Sequence, residues 1–230
     1  MKLYRIRGGN LTDLENKIYT IGVGISLGNK WFNVKNITDQ IRWALHYTKD
    51  KVVVYVADSI HAINLEVRNR KTFEKALIKA NQLGDQILKD VKDEVNKVFS
   101  VEEGQMVVYS KWNGVEDESY KNKVRYLRSL YRDGLSEFQA RITSLVRSLT
   151  VNESRKFSDA DILRLGEYLL EEMPELIDRV PIAGVIVDAY TYPFDGEVAG
   201  LAEQIQLGKI FPDIKNKIMD TEPKVFLEVR

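Results

Sequence analysis

Hydrophobic positions along this chain switch repeatedly between a strand period and a helix period. Residues 17–25 are rich in β-branched and aromatic side chains and read as a buried strand that breaks at small residues, Gly24, Ser26 and Gly28. Ile37, Ile41, Ala44 and Leu45 then mark one helical face. Residues 51–58 form a second, continuously apolar strand, of the kind found in parallel sheets covered on both sides. A long helix follows from about 71 to 98 on Phe73, Leu77, Ala80, Ile87, Leu88, Val91 and Val95, with Gly84 as a weak point. Residues 105–109 read as a third strand, and 117–149 as helix divided near Gly134. Ser158 with Asp159 and Asp161 is an N-cap with acidic first-turn residues, opening a helix that carries Ile162, Leu165, Leu169 and Leu176. Residues 181–188 read as a fourth strand, with Tyr190, Tyr192 and Pro193 just past it, and 196–206 as a last helix. Parallel strands need crossover connections, so the alternation predicts a doubly wound α/β fold with a mainly parallel sheet and helices on both faces. No repeat, linker or low-complexity tract interrupts it, and residues 1–230 are expected to form a single domain.

Composition narrows the chemistry. There is no cysteine, which removes disulfides, thiolate metal sites and cysteine nucleophiles. No run approaches the roughly 20 apolar residues that span a bilayer, and the start of the chain has no long apolar region, so a cytoplasmic protein is expected. Lys and Arg number 34 against 34 Asp and Glu, so affinity for nucleic acid would have to come from local patches.

Ser26 is the most suggestive single residue. It falls at the carboxyl end of a strand and just before a helix, where open α/β sheets bind ligands and backbone N–H groups stabilise developing charge. Gly24-Ile-Ser-Leu-Gly28 matches a hydrolase nucleophile elbow, but that architecture needs a histidine late in the chain, and only His46 and His61 exist. Gly22, Gly24 and Gly28 have the wrong spacing for a dinucleotide-binding turn. Elsewhere Tyr168 and Glu172, four residues apart, share a helix face beside the stripe of Leu165 and Leu169. Tyr192 belongs to the same sheet edge as Ser26 if its strand is parallel to the first, and Asp58, His61 and Asn64 follow the second strand onto that edge.

Gly24-Ile-Ser-Leu-Gly-Asn-Lys-Trp-Phe32, Asp58-x-x-His61-x-x-Asn64, Tyr168-Leu-Leu-Glu-Glu172 followed by Met173-Pro174, and Tyr192-Pro193, in this order across nearly the whole chain, resemble the cyclodipeptide synthases. That family makes cyclic dipeptides (2,5-diketopiperazines) from two aminoacyl-tRNAs. The resemblance implies a Rossmann-like fold similar to the catalytic domain of class I aminoacyl-tRNA synthetases, without ATP-dependent activation, and the chain has neither the H-x-G-H nor the K-M-S-K-S type signature. It implies Ser26 as the acyl-accepting nucleophile, with Tyr168, Glu172 and Tyr192 as the other catalytic residues. Gly24, Asn29, Asp58, His61, Asn64 and Asp195 would stand around the substrate. No metal or cofactor is expected, because an aminoacyl-tRNA is already an activated ester. The family divides by the residues after the serine motif and after the second tyrosine; this chain combines Asn29 with Pro193, and its product is not legible from the subgroup.

Two cationic stripes supply candidate tRNA contacts: Arg68, Lys71, Lys75 and Lys79, and Lys121, Arg125, Arg128 and Arg132. A catalytically silent RNA-binding module, with Ser26 only a helix cap, is the competing reading, and a serine hydrolase of unusual composition a weaker one. The expected state is a monomer, with a dimer as the alternative.

Overall fold

A computed structural model of the chain describes residues 1–7, 14, 17–25, 31–48, 50–133, 136–192, 196–220 and 222–229, the side chains of 133 and 136 excepted. The strands of its main sheet are β1 (Leu3–Arg7), β2 (Tyr19–Gly24), β3 (Val52–Ala57), β4 (Val107–Lys111), β7 (Ala189–Tyr192) and β8 (Val225–Val229), in the order β1-β8-β7-β2-β3-β4. All neighbours are parallel except β1, which runs antiparallel to β8 at one edge.

The helices cover both faces, as the strand composition requires. In β3 the side chains of Val52, Val54 and Val56 join one core cluster and those of Val53, Tyr55 and Ala57 another. Successive side chains point to opposite faces, so a strand between two helical layers must be apolar throughout. Each buried valine contributes about 1.5–3 kcal/mol relative to exposure. The first face is covered by α1 (Val34–Tyr47) and α3 (Phe73–Val98), with Ile37, Ile41, Ala76, Ala80, Leu88, Val91 and Val95 buried. The second core unites α5 (Glu118–Asp133), α6 (Ser136–Thr150), α7 (Asp159–Ile177), α8 (Glu197–Gln206) and α9 (Pro212–Ile218). Between β3 and α3 lies α2 (His61–Asn69), and α4 (Val101–Gln105) precedes β4. Among the described residues no helix is long and apolar enough to cross a membrane.

Several elements differ from the sequence reading. Residues 181–188 do not enter the sheet: Pro181–Ile182 (β5) and Val185–Ile186 (β6) form a two-stranded hairpin, turned by Ala183 (φ 51°) and Gly184 (φ 78°). The strand beside β2 is the next segment, Ala189–Tyr192. β-Branched composition favours a pleated surface but does not say which one. The third strand begins two residues later than expected, because Ser100 and Glu103 close a capping box and turn 101–105 into helix. The edge strand β1, β8 and the short α9 were not anticipated.

Gly84 is not a weak point. An added Cβ would lie 2.6 Å from the Asp58 Cβ, so the glycine is what lets α3 pack against the end of β3. Asp58 itself is 1% exposed, with Oδ1 accepting from the Trp112 N–H and Oδ2 paired with Lys111 Nζ at 2.9 Å. It ties the ends of β3 and β4 to α3, which fills both of its oxygens with structural partners.

Candidate active site

The sheet order reverses at β2. From there the chain proceeds outward through β3 and β4 on one side and later fills β7 and β8 on the other, so the crevice at the carboxyl ends of β2 and β7 is the topological switch point. Gly24 ends β2 and Tyr192 ends β7, so both lie at that crevice. Ser26, Asn29, Pro193 and Asp195 lie outside the described residues.

Helix α7 carries the candidate phenol and carboxylate, Tyr168 and Glu172. Its N-terminus is fixed by a capping box between Ser158 and Asp161. Along it, Glu167 and Glu171 are one helical turn apart and face α5, where they pair with Arg132 and Arg128. Tyr168, Glu172 and Glu175 follow one another at i, i+4 and i+7 on the adjacent face. The Tyr168 hydroxyl donates to Glu172 Oε1 and lies 3.2 Å from His61 Nε2, with the two rings 4.8 Å apart. His61 opens α2 immediately past the end of β3, and Asn64 Nδ2 stands 3.1 Å from its Nδ1. Asn64 Oδ1 accepts from Arg68 at 2.9 Å.

This chain of polar groups reaches the serine strand through Gly24. A Cβ there would sit 3.1 Å from His61 Nε2 and 2.9 Å from Phe32, so only glycine leaves room for His61 beside the strand end, two residues before Ser26. A cavity of about 160 Å³ opens on the other side, lined by His61, Asn64, Arg68, Leu165, Tyr168 and Leu169 among others. A wider groove between β1 and α1 contains none of the candidate residues.

Electrostatics single out Glu172. Burial is the main cause that pushes its pKa up, to about 7, with the Glu175 carboxylate adding to the rise and the Tyr168 hydrogen bond opposing it. Part of the side chain remains accessible, so a carboxyl poised near neutrality is still reachable. Burial also drives the Tyr168 phenol well above its ordinary value, with Glu172 contributing, and drives His61 down to about 3, with Arg68 contributing. His61 is therefore neutral and Tyr168 protonated at any physiological pH.

A second group under Glu172 was missed in the sequence. Lys224, fully buried, donates to Glu175 Oε1 at 2.5 Å and to the Glu175 carbonyl at 2.6 Å, while the Tyr55 hydroxyl donates to Glu175 Oε2 at 3.1 Å. Tyr55 also bonds Tyr190, whose ring lies 6.3 Å from that of Tyr192. The i+3 spacing from Glu172 to Glu175 was a usable signal, whereas Lys224 comes from the far end of the chain.

The cationic stripes are rearranged by the fold. Arg68 belongs to α2, Arg70 ends that helix in a left-handed conformation (φ 52°), and Thr72 caps α3, so 68–79 is not one helix face. Arg68 binds Glu153 at 2.6 Å as well as Asn64, and Arg128 and Arg132 hold the acids of α7. Lys71, Lys75, Lys79, Lys121 and Arg125 are exposed.

The mainly parallel sheet with helices on both faces is similar to the Rossmann-like fold of class I aminoacyl-tRNA synthetases. Tyrosyl-tRNA synthetase from Archaeoglobus fulgidus shares the fold at 15% identity and a TM-score of 0.53, over 95% of this chain and 56% of that one. The family model for cyclodipeptide synthase matches residues 16–209, and the chain belongs to that family. It is thus an aminoacyltransferase of the kind that makes cyclodipeptides from aminoacyl-tRNAs. A cyclodipeptide synthase from Fluoribacter dumoffii is similar in structure at 18% identity and a TM-score of 0.67, over 97% of this chain and 96% of that one. Another, from Candidatus Glomeribacter gigasporarum and bound to Phe-tRNAPhe, is similar at 17% identity and a TM-score of 0.56, over 95% and 91%. No curated protein matches the chain.

Proposed function

We propose that this enzyme joins two aminoacyl groups by a ping-pong sequence through Ser26. The observation that carries the reading is the hydrogen-bonded set Glu172, Tyr168 and His61 at the switch-point crevice, against Gly24 and two residues before the serine. Ser26 Oγ attacks the carbonyl carbon of the first aminoacyl-tRNA; the new ester forms, the bond to the tRNA ribose oxygen breaks, and the tRNA leaves with the proton. One ester replaces another at comparable energy. Glu172 and the Tyr168 phenol hold the amino group of the aminoacyl-enzyme. A carboxyl near pH 7 is matched to this task, because it can take a proton from an amine that attacks the second aminoacyl-tRNA and return it to the departing ribose oxygen. The terminal amine of the dipeptidyl-enzyme then attacks the Ser26 ester, breaking the bond to Oγ and closing the six-membered ring. To Tyr192, which ends β7, we assign the role of hydrogen-bonding partner or proton relay for Ser26.

Incubation with aminoacyl-tRNAs tests this directly. Intact-protein mass spectrometry should show an aminoacyl adduct on the wild type and none on Ser26→Ala, and a diketopiperazine should accumulate only with the wild type. Absence of adduct and product across a full set of charged tRNAs overturns the reading.

For tRNA contact we propose the exposed cations Lys71, Lys75 and Lys79 at the start of α3, with Lys121 and Arg125 on α5 as a second patch. Replacing Lys75 and Lys79 by alanine should weaken tRNA binding and flatten the slope of log affinity against log salt by about 1.5, at roughly 0.7–0.9 per phosphate contact. An unchanged slope removes α3 from the interface.

A further inference from the structure

We propose that Arg68 and Asn64 are positioning residues that fix the direction of the hydrogen-bond chain ending on Glu172, by locking His61 in its Nε2–H tautomer. Arginine has donors only, so the atom of Asn64 that faces Arg68 Nη1 at 2.9 Å must be the amide oxygen. Arg68 cannot swing away easily, because its Nε and Nη2 hold Glu153 at 3.2 and 2.6 Å. With its oxygen held, Asn64 presents its NH₂ to His61 Nδ1 at 3.1 Å, and that nitrogen must offer a lone pair. A neutral imidazole then carries its proton on Nε2, and the 3.2 Å contact to Tyr168 becomes an N–H donating to the phenol oxygen. The phenol's own proton has one remaining acceptor in the chain, Glu172 Oε1. Burial keeps His61 neutral, so the tautomer is the only freedom left to remove.

Direction matters to the chemistry. With the opposite tautomer, Tyr168 would donate to His61 Nε2 and leave Glu172 without the hydrogen bond that favours its ionised form. The other ionisable groups acting around Glu172 are Glu175 on the same helix, Tyr55 of β3, Tyr190 of β7 and Tyr120 of α5; the amide of Asn64 reaches it only through His61 and Tyr168. The inference rests on Glu172 and Tyr168 as the pair that handles the substrate amine.

The chain has two histidines, which makes the imidazole ¹⁵N spectrum readable, with His46→Gln assigning the exposed residue on α1. Resting wild-type enzyme should show His61 as a single Nε2–H tautomer between pH 6 and 8. Asn64→Asp, equal in shape, presents acceptors only; it should move the proton to Nδ1, shift the acid limb of the rate profile up by about one pH unit and lower turnover near neutrality. Arg68→Lys should retain the wild-type tautomer, because lysine also has donors only, whereas Arg68→Met should give a mixture as the amide is freed to flip. A wild-type Nδ1–H tautomer, or Asn64→Asp with tautomer and acid limb both unchanged, overturns the proposal. If Asn64→Asp fails to fold, the wild-type spectrum and the Arg68 pair decide the question. A protein that makes no diketopiperazine yet carries the Nε2–H tautomer overturns the catalytic reading while supporting the direction of the chain.

Discussion

Glu172→Gln is expected to lower cyclodipeptide formation by about 10²- to 10⁴-fold, the usual contribution of a positioned acid–base group, while making the protein more stable. The two effects have one cause. Burial and the Glu175 carboxylate hold the Glu172 carboxyl at about 7 in the folded protein, against about 4.3 in an unfolded chain. The folded state therefore binds the proton more tightly. Its contribution to stability is fully present below the unfolded pKa and is lost as pH rises through the folded one. At pH 8 the burden is complete, and removing the carboxylate should raise the unfolding free energy by about 1–3 kcal/mol, a gain that vanishes toward pH 4. In the wild type the rate should rise with pH through about 7 as the base ionises, and this limb should be missing in the variant. In the proposed sequence the proton transfer belongs to the second acyl transfer, so the aminoacyl-enzyme should still form and should accumulate relative to product. Product formation within tenfold of wild type, with the same acid limb, would remove Glu172 from the chemistry.

The parts of this site legible in the sequence were those governed by local rules. Tyr168 and Glu172 were recognisable as neighbours because helix geometry fixes i and i+4, and His61 and Asn64 because they follow an apolar strand directly. Strand β3 was legible for the same reason, since double-sided burial leaves no polar position inside it. What failed was non-local. The segment 181–188 has strand composition, but the turn at Ala183 and Gly184 and the pairing of Ala189–Tyr192 with β2 decide which residues enter the sheet. Asp58 looked available as an edge residue until α3 and β4 closed over it. Arg68, Arg128 and Arg132 looked like members of solvent-facing stripes, yet each finds an acid from a distant segment. Charge counting along one helix carries no information about the acids that a packed neighbour presents. The buried group of Tyr55, Glu175, Tyr190 and Lys224 was invisible for that reason too, since β3, α7, β7 and the chain before β8 must all be in place before it exists.

Lys224→Met is expected to destabilise the enzyme by about 3–5 kcal/mol, more than an apolar substitution at a buried site would suggest. The lysine is fully buried, and burial pushes its pKa down, while Glu175 is 1% exposed. Each charge is tolerated because the other stands 2.5 Å away, and the Tyr55 hydroxyl completes the shell of the carboxylate. The pair also joins β8 to α7, a link reinforced by Gln206 Nε2 donating to the carbonyls of Leu176, Ile177 and Lys224 at 3.0–3.3 Å. Removing the lysine alone leaves a carboxylate in the interior with one phenol for company, and that carboxylate must take up a proton to remain there. The penalty is that of a stranded interior carboxylate, so it should grow as pH rises. In Lys224→Met/Glu175→Gln no charge is left stranded, and the double variant should recover most of the loss at pH 8. Denaturant unfolding of the four proteins at pH 5 and pH 8 gives the coupling energy directly. A single Lys224→Met variant within about 1 kcal/mol of wild type, or a penalty that does not change with pH, would mean that Glu175 is not held ionised by this lysine. The Glu175 contribution to the elevated pKa of Glu172 would then need another source.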